Sequence, residues 1–187
     1  MTKIGVTGHR FLDHSKKLIQ SVDQALEIIS GRFEPPYRLI TLLAEGADRL
    51  VPNRVFARWV GAQLAVVLPM DVEAYMKDFN TLSSKADFIN LMQLADEILF
   101  VPKVSSREGA YQAAGERVVE MCDVLIALWD GQKGRGKGGT GEIVAYARKK
   151  SLPLVWIHAA NQIPGMDLPV STGEEQGKIT LENFSAE

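Results

Sequence analysis

Six short apolar runs alternate along the chain with stretches whose apolar residues recur at helical spacing. The runs lack an alternation of polar and apolar positions, a pattern typical of strands that are buried on both faces of a sheet. They predict strands at residues 4–7, 39–43, 64–68, 98–101, 124–129 and 154–157. A further strand is expected near residues 178–181.

Between these runs, apolar residues repeat every three or four positions and predict five amphipathic helices. The most regular stripe comprises Leu18, Val22, Ala25, Leu26 and Ile29. Pro52 indicates that the second helix starts or bends at that residue. Strands that alternate with helices predict an α/β fold: a Rossmann-like three-layer sandwich, in which a mostly parallel sheet carries helices on both faces.

The composition changes this picture only by excluding some classes of protein. The formal net charge of −2 gives no global attraction to nucleic acid or to an anionic membrane. No apolar run approaches the roughly 18 residues that a membrane span requires. The chain enters a strand-like run at once, which leaves no room for a signal peptide. We therefore expect a cytoplasmic protein with neither a membrane nor a nucleic acid as its partner.

Cysteine and histidine are too few and too scattered for a disulfide framework or a metal centre. A single cysteine, Cys122, excludes an internal disulfide, and its place at the end of an apolar helical stripe predicts a buried structural thiol. The histidines, His9, His14 and His158, have no metal-ligand spacing. The sequence predicts no metal and no cofactor.

In sheets of this kind, ligands bind at the carboxyl ends of the strands, so the loops after the strands are the candidate site. After the first strand, Gly8 permits a tight turn, and the amides that open the next helix can face an anion. His9 lies in this turn, and Arg10 offers a planar fork suited to phosphate. The alternative is a solvated arginine beside a turn histidine.

The loop after the second strand contains Gly46 and Asp48. Gly46 would permit the close approach of a ligand to the backbone. Asp48 either accepts a hydrogen bond from a ribose hydroxyl or caps the helix that follows. Both interpretations stay open from the sequence.

The loop after the fifth strand is the richest in glycine. Six glycines fall within residues 131–141, and their high cost in ordering entropy favours a loop that presents backbone amides to a ligand. We expect contacts from Trp129, Gly131, Gly138, Gly139 and Thr140. The alternative is a flexible hinge.

Two motif matches in this loop are weak. The G-x-G-x-x-G match at 134–139 has no acidic residue about 20 positions further on, and Gly138 replaces the Ser or Thr of a Walker A loop. The cations Lys133, Arg135 and Lys137 have no interleaved aromatic residues on which bases could stack, so a ligand-adjacent loop is the better interpretation.

Together, several segments resemble the SLOG superfamily, which includes DprA, the LOG-type phosphoribohydrolases and the YpsA-like proteins. These segments are residues 5–10, 43–50, 68–69 with Tyr75 and 78–79, and 123–131 with 138–140. The resemblance implies a nucleotide or phosphorylated nucleoside as ligand. The resemblance covers roughly residues 3–158, and we expect residues 1–158 to form the nucleotide-binding domain. From Ala159 the composition turns to Gly, Pro, Gln, Glu and Ser, which predicts that 159–187 are an irregular extension of the same domain.

Carried over by position, the phosphate and ribose contacts are Gly8, Gly46, Gly138, Gly139 and Thr140. LOG-type enzymes have a Gly-Gly-x-Gly-Thr-x-x-Glu pattern whose glutamate takes part in cleaving the N-glycosidic bond. Glu142 follows Thr140 by two residues rather than three, which on a helix is a rotation of about 100°.

Two functions follow as hypotheses, and the sequence leaves catalysis open. The first is a nucleotide-binding or nucleotide-sensing protein. The second is an N-glycoside hydrolase or base-exchange enzyme that acts on a nucleoside monophosphate, with Glu142 and Asp130 as catalytic carboxylates and Tyr75 or Trp129 stacking on the base. A third interpretation is a subunit whose loops only mediate assembly. Because related families form dimers, we expect a homodimer.

Overall fold

The computed structural model describes residues 1–13, 15–132, 138–162 and 173–184. Within these residues, seven strands form one sheet. Their bounds are β1 Thr2–Gly8, β2 Tyr37–Thr41, β3 Gln63–Leu68, β4 Glu97–Phe100, β5 Val124–Trp129, β6 Leu154–His158 and β7 Ile179–Glu182. Each predicted strand is therefore found. The second ends earlier than predicted, because Leu43 adopts a left-handed backbone conformation with φ of 57°.

The strand order β4-β3-β2-β1-β5-β6-β7 places β1 at the centre of the sheet. Strands β1 to β6 are parallel, and β7 pairs antiparallel with β6. The chain builds the sheet in one direction through β2, β3 and β4, and then returns to the other side of β1 with β5. The order thus reverses between β1 and β5, where Ile4 pairs with both Leu39 and Val124.

The helices are α1 Lys16–Ser30, α2 Ala47–Arg58, α3 Val72–Met76, α4 Leu82–Met92, α5 Arg107–Met121 and α6 Thr140–Lys149. Five of them correspond to predicted stripes. The short α3 was not predicted, because five residues are too few to establish a helical period. None of the helices in the described ranges has the length and apolar character needed to cross a membrane.

Helix α2 contains Pro52 without starting there. Proline has no N–H to donate to the carbonyl four residues before it, which here belongs to Asp48. The Thr41 hydroxyl, at the end of β2, donates to that carbonyl at 3.2 Å. The neighbouring strand thus satisfies the acceptor that the proline leaves free, and the helix continues.

Two apolar clusters lie on the two faces of the sheet, which confirms the predicted Rossmann-like three-layer sandwich. Helices α1, α2 and α4 cover one face, on which Leu39 and Ile126 are fully buried. Helices α5 and α6 cover the other, on which Leu125 is fully buried. Cys122 is buried on that second face, and burial raises the pKa of its thiol to about 12, as expected of a structural cysteine.

The C-terminal extension contributes β7 to the sheet, since Leu154 pairs with Glu182. The remainder of that extension, 163–172 and 185–187, lies outside the described residues, as do His14 and the predicted basic cluster of Lys133, Arg135 and Lys137. The division of the chain at residue 158 stays a prediction.

We expect Leu39→Ala to lower the free energy of unfolding by about 2–5 kcal/mol, because it opens a cavity in the core between β2 and its helices. Val60→Ala is the matched control: Val60 is fully exposed, and its loss should change stability by less than about 0.5 kcal/mol. Urea denaturation monitored by circular dichroism measures both. Equal effects of the two variants would contradict the assignment of the core.

Candidate functional site

A cavity of about 390 Å³ opens at the carboxyl ends of β1 and β5, where the strand order reverses. This is the position at which open α/β sheets bind ligands, and the volume lies in the usual range of small-molecule sites. Its walls come from residues 8–11 after β1, from Trp129 and Asp130 after β5, and from residues 138–141 at the start of α6. The two glycine loops singled out in the sequence therefore share one cavity.

Helix α6 begins at this cavity. Gly139 is its N-cap residue, in an extended conformation and with no side chain to cap the helix. The first amides of a helix have no partner within the helix, and the helix dipole adds a partial positive charge there. Gly138, Gly139 and Thr140 all line the cavity. The cavity thus receives the end of a helix suited to an anion.

Gly8 and Gly46 hold the β1 loop against α2. A Cβ atom on Gly8 would lie 2.4 Å from the Cβ of Ala47, and one on Gly46 would lie 2.2 Å from the His9 carbonyl oxygen. The Ala47 amide donates to that same oxygen at 3.2 Å. Gly8 lines the cavity, whereas Gly46 does not. The close approach that Gly46 permits is that of the β1 loop, which corrects the predicted ligand contact.

Arg10 lines the cavity with its guanidinium already paired. Its Nη2 donates to Glu45 Oε2 at 2.7 Å and to the Asp78 carbonyl oxygen at 2.9 Å. Its Nε is buried without a hydrogen-bond partner in the described part of the chain. The interpretation of Arg10 as a solvated side chain is therefore wrong. As a phosphate ligand it would have to exchange one of its present partners.

A second arginine, which was not predicted from the sequence, supports this pair from behind. The Ser84 hydroxyl donates to Glu45 Oε1 at 2.5 Å, and Arg49 Nη1 donates to the Ser84 carbonyl oxygen at 2.7 Å. Arg49 Nε donates to the Leu43 carbonyl oxygen at 3.0 Å. Ser84 of α4, itself bonded by Arg49 of α2, thus fixes the position of Glu45 and, through it, that of Arg10.

Asp48 contributes a buried carboxyl group to the cavity wall. The backbone amides of Leu42 and Ala44 hydrogen-bond to this group, so it binds the preceding loop, and α2 has no side-chain cap. Burial raises its pKa from 3.8 to about 7, although these hydrogen bonds and the charge of Arg49 act in the opposite direction. The capping interpretation is therefore wrong, and the carboxyl group titrates near neutral pH.

His9 and Asp130 join the loops after β1 and β5 across the cavity. The Asp130 amide donates to His9 Nε2 at 3.1 Å, and Asp130 Oδ1 lies 3.2 Å from the same nitrogen. Burial lowers the pKa of His9, and the neighbouring carboxylate opposes this effect. The Asp130 amide requires an unprotonated Nε2, whereas the Asp130 carboxylate favours a protonated one, so the two contacts favour opposite states of this nitrogen. Both residues line the cavity, and their contact with a ligand stays a prediction.

Trp129 lines the cavity, but its ring is already in contact with other groups. Its ring packs against that of Trp156, with 5.2 Å between the ring centroids. Its Nε1 donates to the Gln132 carbonyl oxygen at 2.9 Å, and the guanidinium of Arg148 lies 5.4 Å from the ring centroid. Gly131, with φ of 81°, turns the chain beside Trp156 and does not line the cavity. Gly131 serves the turn, which corrects its predicted ligand contact.

Tyr75 and Glu142 do not line the cavity. Tyr75 is fully buried and packs edge-on against Phe79 and Phe88, so its predicted stacking on a base is wrong. Glu142 Oε2 accepts the Gly138 amide at 2.6 Å. The carboxylate thus closes the start of its own helix and does not face the cavity where a catalytic acid would be required.

Asn161 and Tyr111 line the cavity and were not predicted to do so. Asn161 follows β6, and its side-chain oxygen is buried with no partner among the residues that the structure describes. The same strand-end rule that selected the other loops would have found it. Tyr111 was assigned to the core stripe of α5. Its hydroxyl donates to Asp78, and burial raises its pKa.

No cluster of three or more His, Cys, Asp or Glu side chains that could hold a metal ion occurs in the described ranges. The polar groups of the cavity wall include the backbone of the glycine loops, the paired Arg10, the carboxyl groups of Asp48 and Asp130, and the free Asn161 amide oxygen.

This fold and cavity define a Rossmann-like α/β protein with a ligand-sized site at the reversal of its strand order. Comparison with solved structures finds DNA processing protein A (DprA) from Streptococcus pneumoniae, with 17% sequence identity and a TM-score of 0.57 over 90% of this chain. This chain spans 52% of that one. At this level of identity the comparison shows a shared fold.

The structural-genomics target TM1055 is a more distant match, with 14% identity and a TM-score of 0.47, covering 82% of this chain and 72% of that one. No protein-family model and no curated protein matches the sequence.

We expect Gly46→Ala to destabilise the protein more than Gly61→Ala. Both glycines have positive φ, so each substitution strains the backbone, and Gly46 (φ 74°, ψ −122°) also lies outside the left-handed helical region that other residues adopt. A Cβ at Gly61 meets no atom within 4 Å, whereas one at Gly46 meets the β1 loop, which adds about 1–3 kcal/mol of overpacking. Thermal denaturation of the two variants measures the difference. Equal losses would show that the β1 loop yields without cost.

We expect Asp48 to make the protein less stable as pH rises from about 4 to about 7. The folded carboxyl group keeps its proton up to about pH 7, whereas the unfolded one loses it near 3.8. The folded state therefore binds more protons in this window, and its stabilisation, complete below pH 4, is lost as pH rises through 7. Urea denaturation across this range should show a steeper decline for the wild type than for Asp48→Asn. Parallel curves would contradict the raised pKa.

Proposed function

We propose that the cavity binds a nucleotide or a nucleotide derivative, with a phosphate at the start of α6. The observation that carries this proposal is that the glycine-capped N-terminus of α6 opens into the same cavity as the loop at Gly8 and Arg10. Backbone amides and a helix dipole that converge on one space are a recurrent phosphate site in proteins. The resemblance to the SLOG fold supports the same ligand class.

The distribution of donors and acceptors supports a phosphorylated sugar. The amides at Gly139 and Thr140 can donate to an anionic group. Elsewhere on the wall, the carboxyl group of Asp48 and the free oxygen of Asn161 accept hydrogen bonds. A phosphate attached to a hydroxyl-bearing ribose matches both kinds of group.

Binding without catalysis is the function that the geometry favours. The glutamate that the resemblance assigned to glycosidic cleavage is bonded to the Gly138 amide, and it does not line the cavity. Asp130 lines the cavity but lies against His9 and also accepts the Gln132 amide at 2.9 Å. We therefore propose a nucleotide-binding or nucleotide-sensing protein of the cytoplasm, with a small molecule as its partner.

A thermal-shift comparison of a nucleoside monophosphate, its nucleoside and inorganic phosphate tests this proposal. A ligand at 100 times its dissociation constant should stabilise the protein by about 2.7 kcal/mol. We expect the monophosphate to stabilise most, because it alone fills both parts of the cavity. AMP and IMP are suitable probes.

Thr140→Pro isolates the role of the helix amides. Proline is favoured at the first position of a helix, and the preceding Gly139 already has the extended conformation (φ −77°, ψ 160°) that proline requires. The variant loses one amide donor, which should weaken monophosphate binding about tenfold or more, because a hydrogen bond to a charged group contributes about 1.5–3 kcal/mol. Thr140→Ala keeps the amide and is the matched control.

Two outcomes would contradict the proposal. One is an equal response to the nucleoside and its monophosphate, and the other is equal binding by the Pro and Ala variants at Thr140. If chromatography shows that free base is released from the monophosphate, the protein is an N-glycoside hydrolase and not only a binding protein.

A further inference from the structure

The cavity wall contains an aromatic ring that the core does not use. Among the aromatic side chains of the described cavity residues, Trp129 packs against Trp156 and Tyr111 lies against Tyr75. Phe11 lines the same cavity, is half-buried, and belongs to neither of the two apolar clusters. Within the described ranges, its ring contacts no other aromatic ring and no cation. The ring of Phe11 is therefore available to a ligand.

Asn161 adds an unpaired polar atom to the same wall. Its Oδ1 is buried and has no hydrogen-bond partner in the part of the chain that the structure describes. A buried acceptor without a partner is costly, and each one in a native protein calls for an explanation. In the wall of a cavity, a ligand that donates a hydrogen bond to this oxygen supplies that explanation.

Backbone hydrogen bonds place these two side chains next to each other. The Gln162 amide donates to the Phe11 carbonyl oxygen at 2.8 Å. On the other side of Asn161, the Ala160 amide donates to Gln176 Oε1 at 2.8 Å. The backbone is thus held on both sides of Asn161 and is joined to the β1 loop, so the ring and the oxygen form one subsite.

This subsite lies across the cavity from the start of α6. The nearby residues Leu12 and Ala159 belong to the apolar cluster that α1, α2 and α4 cover. Gly138, at the start of α6, lies against α5 on the other face of the sheet. A nucleotide carries its base and its phosphate at opposite ends of the ribose. A phosphate at α6 therefore directs the base towards Phe11 and Asn161.

We propose that Phe11 and Asn161 form a base subsite, and that this subsite selects a base with an amino group, such as adenine. The base stacks on the Phe11 ring, an interaction open to every base because each has a π face. Its amino group donates to Asn161 Oδ1, as it does where asparagine reads adenine in DNA. Asp48 is then the acceptor for the ribose. The inference rests on the proposed nucleotide site and adds what that site recognises.

The unpaired oxygen is the source of the selectivity. A base without the amino group leaves Asn161 Oδ1 buried and unpaired in the complex. Sites that hydrogen-bond an N–H group of their ligand reject analogues that lack it, because the polar group of the site then has no partner. Purine riboside 5′-monophosphate is such an analogue of AMP, since it carries hydrogen in place of the amino group.

Isothermal titration calorimetry of these two nucleotides tests the hydrogen bond. We expect the wild type to bind AMP about tenfold more tightly than the analogue. Asn161→Leu, which has a similar size and no acceptor, should bind the two with equal affinity. Asn90→Leu is the matched control, because Asn90 is exposed on α4 outside the cavity, and it should keep the tenfold difference. Each variant is judged by the ratio of two affinities of one protein, so a partly unfolded fraction does not change the result.

Phe11→Leu tests the stacking interaction. It should weaken the binding of AMP and of the analogue by the same factor, about fivefold or more, because stacking does not depend on the amino group. Phe100→Leu makes the same change at an exposed ring on β4 and should bind both nucleotides as the wild type does. Both variants should melt near the wild type without ligand, since Phe11 lies in neither apolar cluster and Phe100 is exposed.

Ribose 5-phosphate separates this inference from the proposed function. If it binds as tightly as AMP, the phosphate site stands and the base subsite is wrong. A wild type that binds AMP and the analogue equally, or an Asn161→Leu variant that still distinguishes them, would also overturn the inference. If neither AMP nor ribose 5-phosphate binds, the proposed function fails and the base subsite with it.

Discussion

The contact between the β1 loop and the start of α2 is the constraint on which the site depends. The His9 carbonyl oxygen accepts the Ala47 amide, and Gly46 approaches that oxygen so closely that no side chain fits there. Gly8 packs on Ala47 from the other side. Because Gly8, Gly46 and Ala47 carry little or no side chain, the β1 loop packs directly against the start of α2 and is held there at the edge of the cavity.

Buried polar side chains around this contact make it rigid. Because they bond to one another, they are less available to a ligand. Arg10 and Arg49 both engage the Glu45–Ser84 pair, which draws the ends of β1, β2 and α4 together. Charged groups in such surroundings are costly unless they are paired, so their arrangement is fixed. The consequence for binding is direct. An anion that reaches Arg10 must compete with Glu45, whereas at the start of α6 the Glu142 carboxylate takes up the Gly138 amide, so Gly139 and Thr140 supply the amides that a phosphate would bind.

The fold was predictable from the sequence because its strands are apolar on both faces and its helices are amphipathic. The position of Gly139 and Thr140 after a strand places both on the cavity wall, and their contact with a ligand stays a prediction. The direction in which a side chain points could not be predicted in this way. Tyr75 turns into the core between Phe79 and Phe88, a choice made by tertiary packing that no local spacing reveals. Glu142 was open to a simpler interpretation, since an acid at the third position of a helix commonly bonds an amide that precedes it.

Asp48 shows how one position serves both the helix and the cavity. Its carbonyl is the acceptor that Pro52 leaves free, and the Thr41 hydroxyl satisfies it. Its carboxyl group is held by the amides of Leu42 and Ala44 and faces the cavity. The backbone of Asp48 thus satisfies the hydroxyl of Thr41, while its buried carboxyl group, with a pKa of about 7, lies in the wall of the site. Because this acid titrates near neutral pH, it can present either a hydrogen-bond donor or only acceptors to a ligand, and small changes in its surroundings decide which.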